Sequence, residues 1–191
     1  MLSQTHVLLS DAKDLRSVDL DARLLQDRIV FLGDAVTHET ANEIVKKLLL
    51  LERVDPVAPI TLYINSPGGS VVDGMAIYDT IRRVTCPVHA VVSGMAASMG
   101  AVILSGCEKG ERAILSHGEV LLHQPLGGAQ GQATDIEISA RRLLKMKTRL
   151  LTLLAENTGH PYEKLVEDCD RDYWLDAEEA LAYGIVDKIL R

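Results

Sequence analysis

The chain alternates short β-branched apolar runs with segments of helical periodicity, and this rhythm limits its possible folds more than any other feature. Arg28-Ile29-Val30-Phe31-Leu32 reads as a short buried strand that ends at Gly33. From Thr37 to about Val54, Ile44, Val45, Leu48 and Leu51 fall on one helical face. A second strand, Ile60-Thr61-Leu62-Tyr63-Ile64, runs into the sharp turn Ser66-Pro67-Gly68-Gly69. Ser70, with Asp73 three residues on, caps a helix that extends to about Val84. Pro87-Val88-His89-Ala90-Val91-Val92 is a third strand, followed directly by the small-residue stretch Gly94 to Ala101. Strands separated by helices of this length pair in parallel through right-handed crossovers, so the pattern predicts an α/β fold.

Two further strand-like runs follow, Ala113 to Leu115 and Val120 to Leu122, and then the glycine-rich segment Gly127-Gly128-Ala129-Gln130-Gly131, which reads as extended or mobile. Thr134-Asp135-Ile136-Glu137 matches a capping box and opens the longest helix. That helix runs to about Asn157 and stops at Gly159-His160-Pro161, a length of about 35 Å. Leu143, Leu144, Leu150, Leu151, Leu153 and Leu154 make it apolar on more than one side. The expectation is a projecting helix that buries its second face on another subunit, rather than a central core helix.

The chain of 191 residues supports one core, which assigns 24–191 to a single domain and 1–23, polar with alternating charge, to an irregular N-terminal arm. A net charge of −7 and the absence of any Lys/Arg run longer than a pair exclude a nucleic-acid partner. No apolar stretch approaches the roughly 20 residues of a membrane span, and no secretory pattern opens the sequence. Cys86, Cys107 and Cys169 are odd in number and widely spaced, which suits a reducing, cytoplasmic setting.

Candidate chemistry narrows quickly. The sequence has neither Gly-x-x-x-x-Gly-Lys-Ser/Thr nor Gly-x-Gly-x-x-Gly, and its six histidines show no ligand spacing, so no nucleotide cofactor or metal is expected. Ser98, in Gly94-Met95-Ala96-Ala97-Ser98-Met99-Gly100-Ala101, lies between a strand and a helix N-terminus, where free amides favour developing negative charge. The segment also reads simply as close helix packing with Ser98 as a cap. Gly68-Gly69 lies at the carboxyl end of a parallel strand, the ligand-binding edge of open α/β sheets, and its amides can face an oxyanion; a plain turn is the alternative. His123 ends a strand-like run and is the foremost imidazole, with His89 and His117 as rivals. For an orienting carboxylate the residues leave Asp168, Asp170, Asp172 and Asp176 open, although Asp176-Ala177-Glu178-Glu179 reads as a helix cap.

Three segments, Tyr63-Ile64-Asn65-Ser66-Pro67-Gly68-Gly69, Gly94 to Ala101 and Leu122-His123-Gln124-Pro125-Leu126-Gly127-Gly128, resemble the proteolytic-subunit family of the Clp protease (ClpP). Arg171-Asp172 and Glu179-Ala180-Leu181-Ala182-Tyr183-Gly184 add to the likeness, which runs from about Leu24 to Ile189. The resemblance implies a crotonase-like ββα superhelix with a protruding helix-strand handle. It implies a serine endopeptidase with Ser98 as nucleophile, His123 as general base and Asp172 as its orienting group. Backbone N–H groups of Gly69 and Met99 would form the oxyanion hole. The substrate strand would meet Gly68 and the segment Gln124, Pro125, Leu126, Gly127 and Gly128.

The implied chain order Ser, His, Asp differs from that of α/β-hydrolases, and the serine motif is not Gly-x-Ser-x-Gly. The resemblance further implies two stacked seven-membered rings enclosing the sites, peptide or unfolded-protein substrates, no cofactor and an AAA+ unfoldase ATPase as partner. Positions often aromatic in the family's docking clefts are Thr61, Arg83 and Ala113 here, and the arm from Thr5 to Arg16 lacks the usual pore-loop sequence. This departure puts the ATPase docking in question, and a mixed ring with a paralogous subunit that carries the docking face is the alternative to a homo-oligomer. Two other readings accompany it: an inactive or regulatory ring subunit, and a crotonase-type acyl-CoA enzyme using the Gly68-Gly69 amides.

Overall fold

The structure, a computed structural model, describes residues 6–11 and 14–191. The expected arm therefore lies partly outside the described residues, as does the segment from Thr5 to Arg16. What is described of it is ordered: β1 (His6–Asp11) and β2 (Asp14–Asp19) form an antiparallel hairpin, followed by α1 (Leu20–Gln26). This corrects the irregular reading. The charges from Asp11 to Arg23 conceal a strand pair, and Asp19 caps α1 by accepting from the Ala22 N–H.

The remaining elements follow the expected rhythm. They are β3 (Ile29–Leu32), α2 (His38–Val54), β4 (Ile60–Ser66), α3 (Val71–Arg83), β5 (Val88–Ala97) and α4 (Met99–Ser105). Then come β6 (Arg112–Leu115), β7 (Glu119–Leu122), α5 (Ala133–Thr158), α6 (Tyr162–Asp168), β8 (Tyr173–Leu175), α7 (Ala177–Tyr183) and β9 (Lys188–Leu190). The main sheet runs β3-β4-β5-β6-β9, all parallel, which is the α/β class expected. The caps read from sequence form locally: Thr37 opens α2, the Ser70 hydroxyl accepts from the Asp73 N–H, and Asp176 exchanges bonds with Glu179.

Strand β5 is longer than its apolar run suggests and has two successive partners on one side. Residues 90–92 pair with β6, and 95–97 pair with β7. β7 then pairs antiparallel with β8. The split places β7 and β8 off the main path of the sheet, beside the carboxyl-terminal part of β5.

The core packs Leu48, Ile60, Leu62, Ile64, Ile77, Ile103 and Leu104, all fully buried, between the sheet and helices α2, α3 and α4. Helix α5 has 26 residues, about 39 Å at 1.5 Å per residue, and buries only Leu150, Leu151 and Leu154. Its first four turns extend beyond the core with Ile136, Ile138 and Leu144 exposed, so it projects rather than filling the centre. The expected Thr134 capping box does not form. Gly131, at φ 135°, turns the chain early, so the helix starts at Ala133 with Gln132 as N-cap. Residues 123–130 form no strand. No helix among the described residues is long and apolar enough to cross a membrane.

Candidate active site

Strand ends assemble the site. β4 leads into Pro67-Gly68-Gly69, β5 into Ser98 and β7 into His123, all at the carboxyl edge of the parallel strands. β8 runs the opposite way, so its start meets the end of β7. Leu122 pairs with Tyr173, and one step further along the same register His123 faces Asp172. His123 Nδ1 lies 3.1 Å from Asp172 Oδ1, with the imidazole 15% and the carboxylate 65% exposed. The carboxylate accepts, so the proton sits on Nδ1 and Nε2 is left with its lone pair.

Ser98 is one of two non-glycine residues with positive φ among the described residues, at φ 55° and ψ −117°. Such backbone costs on the order of 1–3 kcal/mol and persists only where the surroundings impose it. Two constraints are visible: the Ser98 N–H donates to Leu121 O at 2.9 Å, and Ser98 O accepts from the Ala101 N–H at 3.0 Å. Ser98 opens α4, yet its side chain makes no capping bond. The hydroxyl is thus free. It shares a small cavity of about 20 Å³ with His123, lined also by Val71, Met99, Pro125 and Leu154. No hydrogen bond joins the two side chains, a looseness common in catalytic pairs before substrate binds.

The glycine turn lies against this serine. A Cβ on Gly68, at φ 83°, would stand 2.5 Å from Ala97 O, 2.7 Å from Ser98 Cβ and 2.8 Å from the Met99 nitrogen. Only glycine permits that approach. Gly69, at φ 148°, bridges to Val36: the Val36 N–H donates to Gly68 O, and the Ser70 N–H donates to Val36 O, each at 2.8 Å. Met99 is the first residue of α4, so its N–H has no intrahelical acceptor. Among the described residues neither the Gly69 nor the Met99 N–H has a partner.

The rivals are engaged elsewhere or lie apart. His89 is 3.8 Å from Glu111, and His117 lies exposed between β6 and β7. Asp168 accepts from the Tyr183 hydroxyl at 2.7 Å and pairs with Lys164. Asp170 offers its backbone carbonyl to Gln124, and Asp176 caps α7. The cysteines are free and buried, and burial pushes Cys107 up to about 12 and Cys169 up to about 11, so neither supplies a thiolate.

A groove of about 590 Å³ continues from the site between Gly69-Ser70-Val71-Val72 and Leu126-Gly127-Gly128, with Leu143 and Met146 of α5 among its walls. One wall is the glycine turn and the start of α3, and the other is the strand-free segment after β7. Sequence reasoning did not see how this segment is braced. The Gln124 N–H donates to Cys169 O at 2.9 Å, its side-chain amide donates to Asp170 O at 3.0 Å, and Lys147 donates to its Oε1 at 2.8 Å. Gln124 thus fastens the segment, and Pro125 to Gly128 form the open stretch. Its only local signal was a polar residue beside His123 in an otherwise apolar run.

A family model described as Clp protease matches residues 12–191. The chain belongs to the Clp protease family. Membership makes it a ClpP-type peptidase of the serine class, and the mixed α/β architecture with its parallel sheet is that of the Clp protease fold.

Proposed function

We propose that this Clp protease family member is a serine endopeptidase in which Ser98 is the nucleophile, His123 the general base and Asp172 its orienting carboxylate. The observation that carries the reading is the 3.1 Å contact between His123 and Asp172 beside a serine with unusual backbone and a free hydroxyl. An extended peptide lies between Gly68 to Val71 and Pro125 to Gly128, with main-chain hydrogen bonds that tolerate many side chains. As Ser98 Oγ attacks the scissile carbonyl carbon, its proton passes to His123 Nε2. The Gly69 and Met99 N–H groups hold the oxyanion, and Asp172 stabilises the imidazolium. Collapse expels the amine, which takes the proton from His123, and leaves an acyl-enzyme at Ser98. Water then repeats the sequence in the second half-reaction.

In this proposal the exposed apolar side chains of α5 pair two seven-membered rings into a chamber, and a separate AAA+ ATPase supplies unfolded polypeptide. The docking of that ATPase calls for a second reading. The outer face of the sheet carries Phe31 stacked on Tyr63 at 5.0 Å, an apolar anchor surface. Beside it Ala113 is buried, Arg83 pairs with Glu52, and Lys188, Glu111 and His89 form a charged cluster. Charge at that face favours a mixed ring in which a paralogous subunit supplies the apolar docking clefts, and a binding assay with and without such a paralogue separates the two arrangements.

The decisive experiment is hydrolysis of a fluorogenic peptide, with fluorophosphonate labelling, by wild type and Ser98→Ala. Wild type hydrolyses the peptide and is labelled at residue 98, and the alanine variant does neither. Hydrolysis retained by Ser98→Ala would overturn the assignment. A wild-type chain that assembles with a paralogue but is neither active nor labelled would make it a structural ring subunit.

A further inference from the structure

Ser66 is fully buried at the end of β4, with its hydroxyl at the base of the glycine turn. It donates to Asp34 O at 2.7 Å and accepts from the Gly68 N–H at 3.1 Å. Asp34 belongs to the segment between β3 and α2 that also holds the far side of the turn, through the two hydrogen bonds between Val36 and residues 68 and 70. The turn is therefore suspended from residues 34–36 at three points, of which only the hydroxyl is a side chain. Residues 34–36 are themselves braced: the Ala35 N–H donates to Asp34 Oδ1 at 2.7 Å, and the Thr40 hydroxyl donates to Ala35 O at 2.9 Å.

The peptide planes show what the suspension controls. In a trans peptide the C=O of one residue and the N–H of the next point in opposite directions. The Val36 N–H holds Gly68 O, so it aims the Gly69 N–H away from Val36, on the side where Ser98 lies. Glycine peptides rotate with little steric resistance, since both φ signs are open to them. Rotation of the 68–69 peptide would replace a donor with a carbonyl oxygen. Ser66 opposes this rotation by fixing the preceding peptide through the Gly68 N–H.

We propose that Ser66 is a positioning residue for the oxyanion donor: its buried hydroxyl relays the frame of residues 34–36 to Gly68 and so fixes the direction of the Gly69 N–H. This rests on the reading of Gly69 as an oxyanion donor. Ser66 touches neither substrate nor nucleophile. It acts on kcat rather than on peptide binding, because the turn's open side still contacts the substrate strand when the donor wavers.

The test compares wild type, Ser66→Ala and Ser98→Ala as assembled protein. A fully removed oxyanion donor lowers kcat by about 10²–10³, and a loosened one by less, so Ser66→Ala is expected to lower kcat about tenfold. KM stays within about twofold, fluorophosphonate labelling of Ser98 slows by a similar factor, and the melting curve still shows one cooperative transition. Ser66→Cys, similar in volume but a weak donor and acceptor, falls between the two and serves in place of alanine if that variant does not assemble. A kcat within twofold of wild type, or a loss carried by KM alone, would overturn the positioning role. Activity retained by Ser98→Ala would instead remove the reading of the site itself, and the two failures are therefore distinct.

Discussion

Replacing Asp172 by Asn changes one atom of the carboxylate that contacts His123 and leaves the backbone register of β7 and β8 in place. Its effect has two parts. The first is the charge: in the proposed mechanism His123 takes the Ser98 proton and becomes an imidazolium beside the carboxylate, with 3.1 Å between Nδ1 and Oδ1. Two unit charges about 4 Å apart interact by about 1 kcal/mol in bulk water and about 4 kcal/mol at an effective dielectric constant near 20. Asp172 is 65% exposed and His123 only 15%, so the pair lies between these limits. That range corresponds to a loss of about fivefold to about 10³-fold in rate.

The second part is the tautomer. An asparagine amide can turn its NH₂ toward Nδ1, which moves the imidazole proton to Nε2 and removes the lone pair that must accept from Ser98. Where a triad carboxylate is buried, this substitution costs about 10⁴ in kcat. The exposure of Asp172 weakens the charge part but not the tautomer part, so the expected loss is about 10²–10³ in kcat with KM little changed. The measurement is steady-state hydrolysis of a fluorogenic peptide, with circular dichroism as a check on the fold. A kcat within fivefold of wild type would refute the reasoning, because it would leave His123 oriented by something other than this carboxylate.

Two further substitutions test the frame around the site. Gly68→Ala places a methyl group against backbone atoms 2.5 and 2.8 Å away at φ 83°, and is expected to lower kcat at least about 100-fold, measured with the same peptide; near-normal activity would show that the turn does not need its close approach. Arg112→Met breaks a buried ion pair with Asp187 and removes bonds to Asn157 O and Gly184 O, costing about 3–5 kcal/mol at neutral pH and about 6–20 °C in melting temperature. Burial pushes Asp187 up, but bonds from Arg112 and from the Gly110 N–H outweigh it and hold the carboxyl below its ordinary 3.8. A depressed carboxyl stabilises the fold above its unfolded pKa and loses that contribution as pH falls through the folded value, so the gap between wild type and variant closes in acid; a gap that widens below about pH 4 would contradict the assignment.

What the sequence disclosed follows how far each interaction reaches along the chain. Helix starts at Thr37, Ser70 and Asp176 depend on side chains bonding amides three residues away, and all three were legible. The Thr134 box failed because Gly131 decided where the helix begins, a competition between neighbours that a motif does not resolve. The β1–β2 hairpin was not legible because the charges from Asp11 to Arg23 outweigh the short apolar run Val7-Leu8-Leu9, and β8 because three residues, Tyr173-Trp174-Leu175, carry no periodicity. Nothing local distinguished Asp172 from Asp168 or Asp170; the pairing of Leu122 with Tyr173 is what brings Asp172 beside His123, the position that the family resemblance implies.

The convergence of these distant residues follows from direction alone. Parallel strands deliver their carboxyl ends to one edge, so the residues just after β4, β5 and β7 are bound to meet there: the glycine turn, Ser98 and His123. β8 runs antiparallel to β7, so the residue before it, Asp172, meets the residue after β7 and contacts His123 Nδ1. The carboxylate is left 65% exposed, so strand register rather than burial holds the two side chains together. Ser98 and the glycine turn are held differently, mainly by backbone bonds from Ser98 to Leu121 and Ala101 and from Val36 to residues 68 and 70, with the Ser66 hydroxyl beneath the turn. In the proposed mechanism the half fixed by backbone bonds holds the groups that meet the developing oxyanion, and the half held mainly by strand pairing carries the proton.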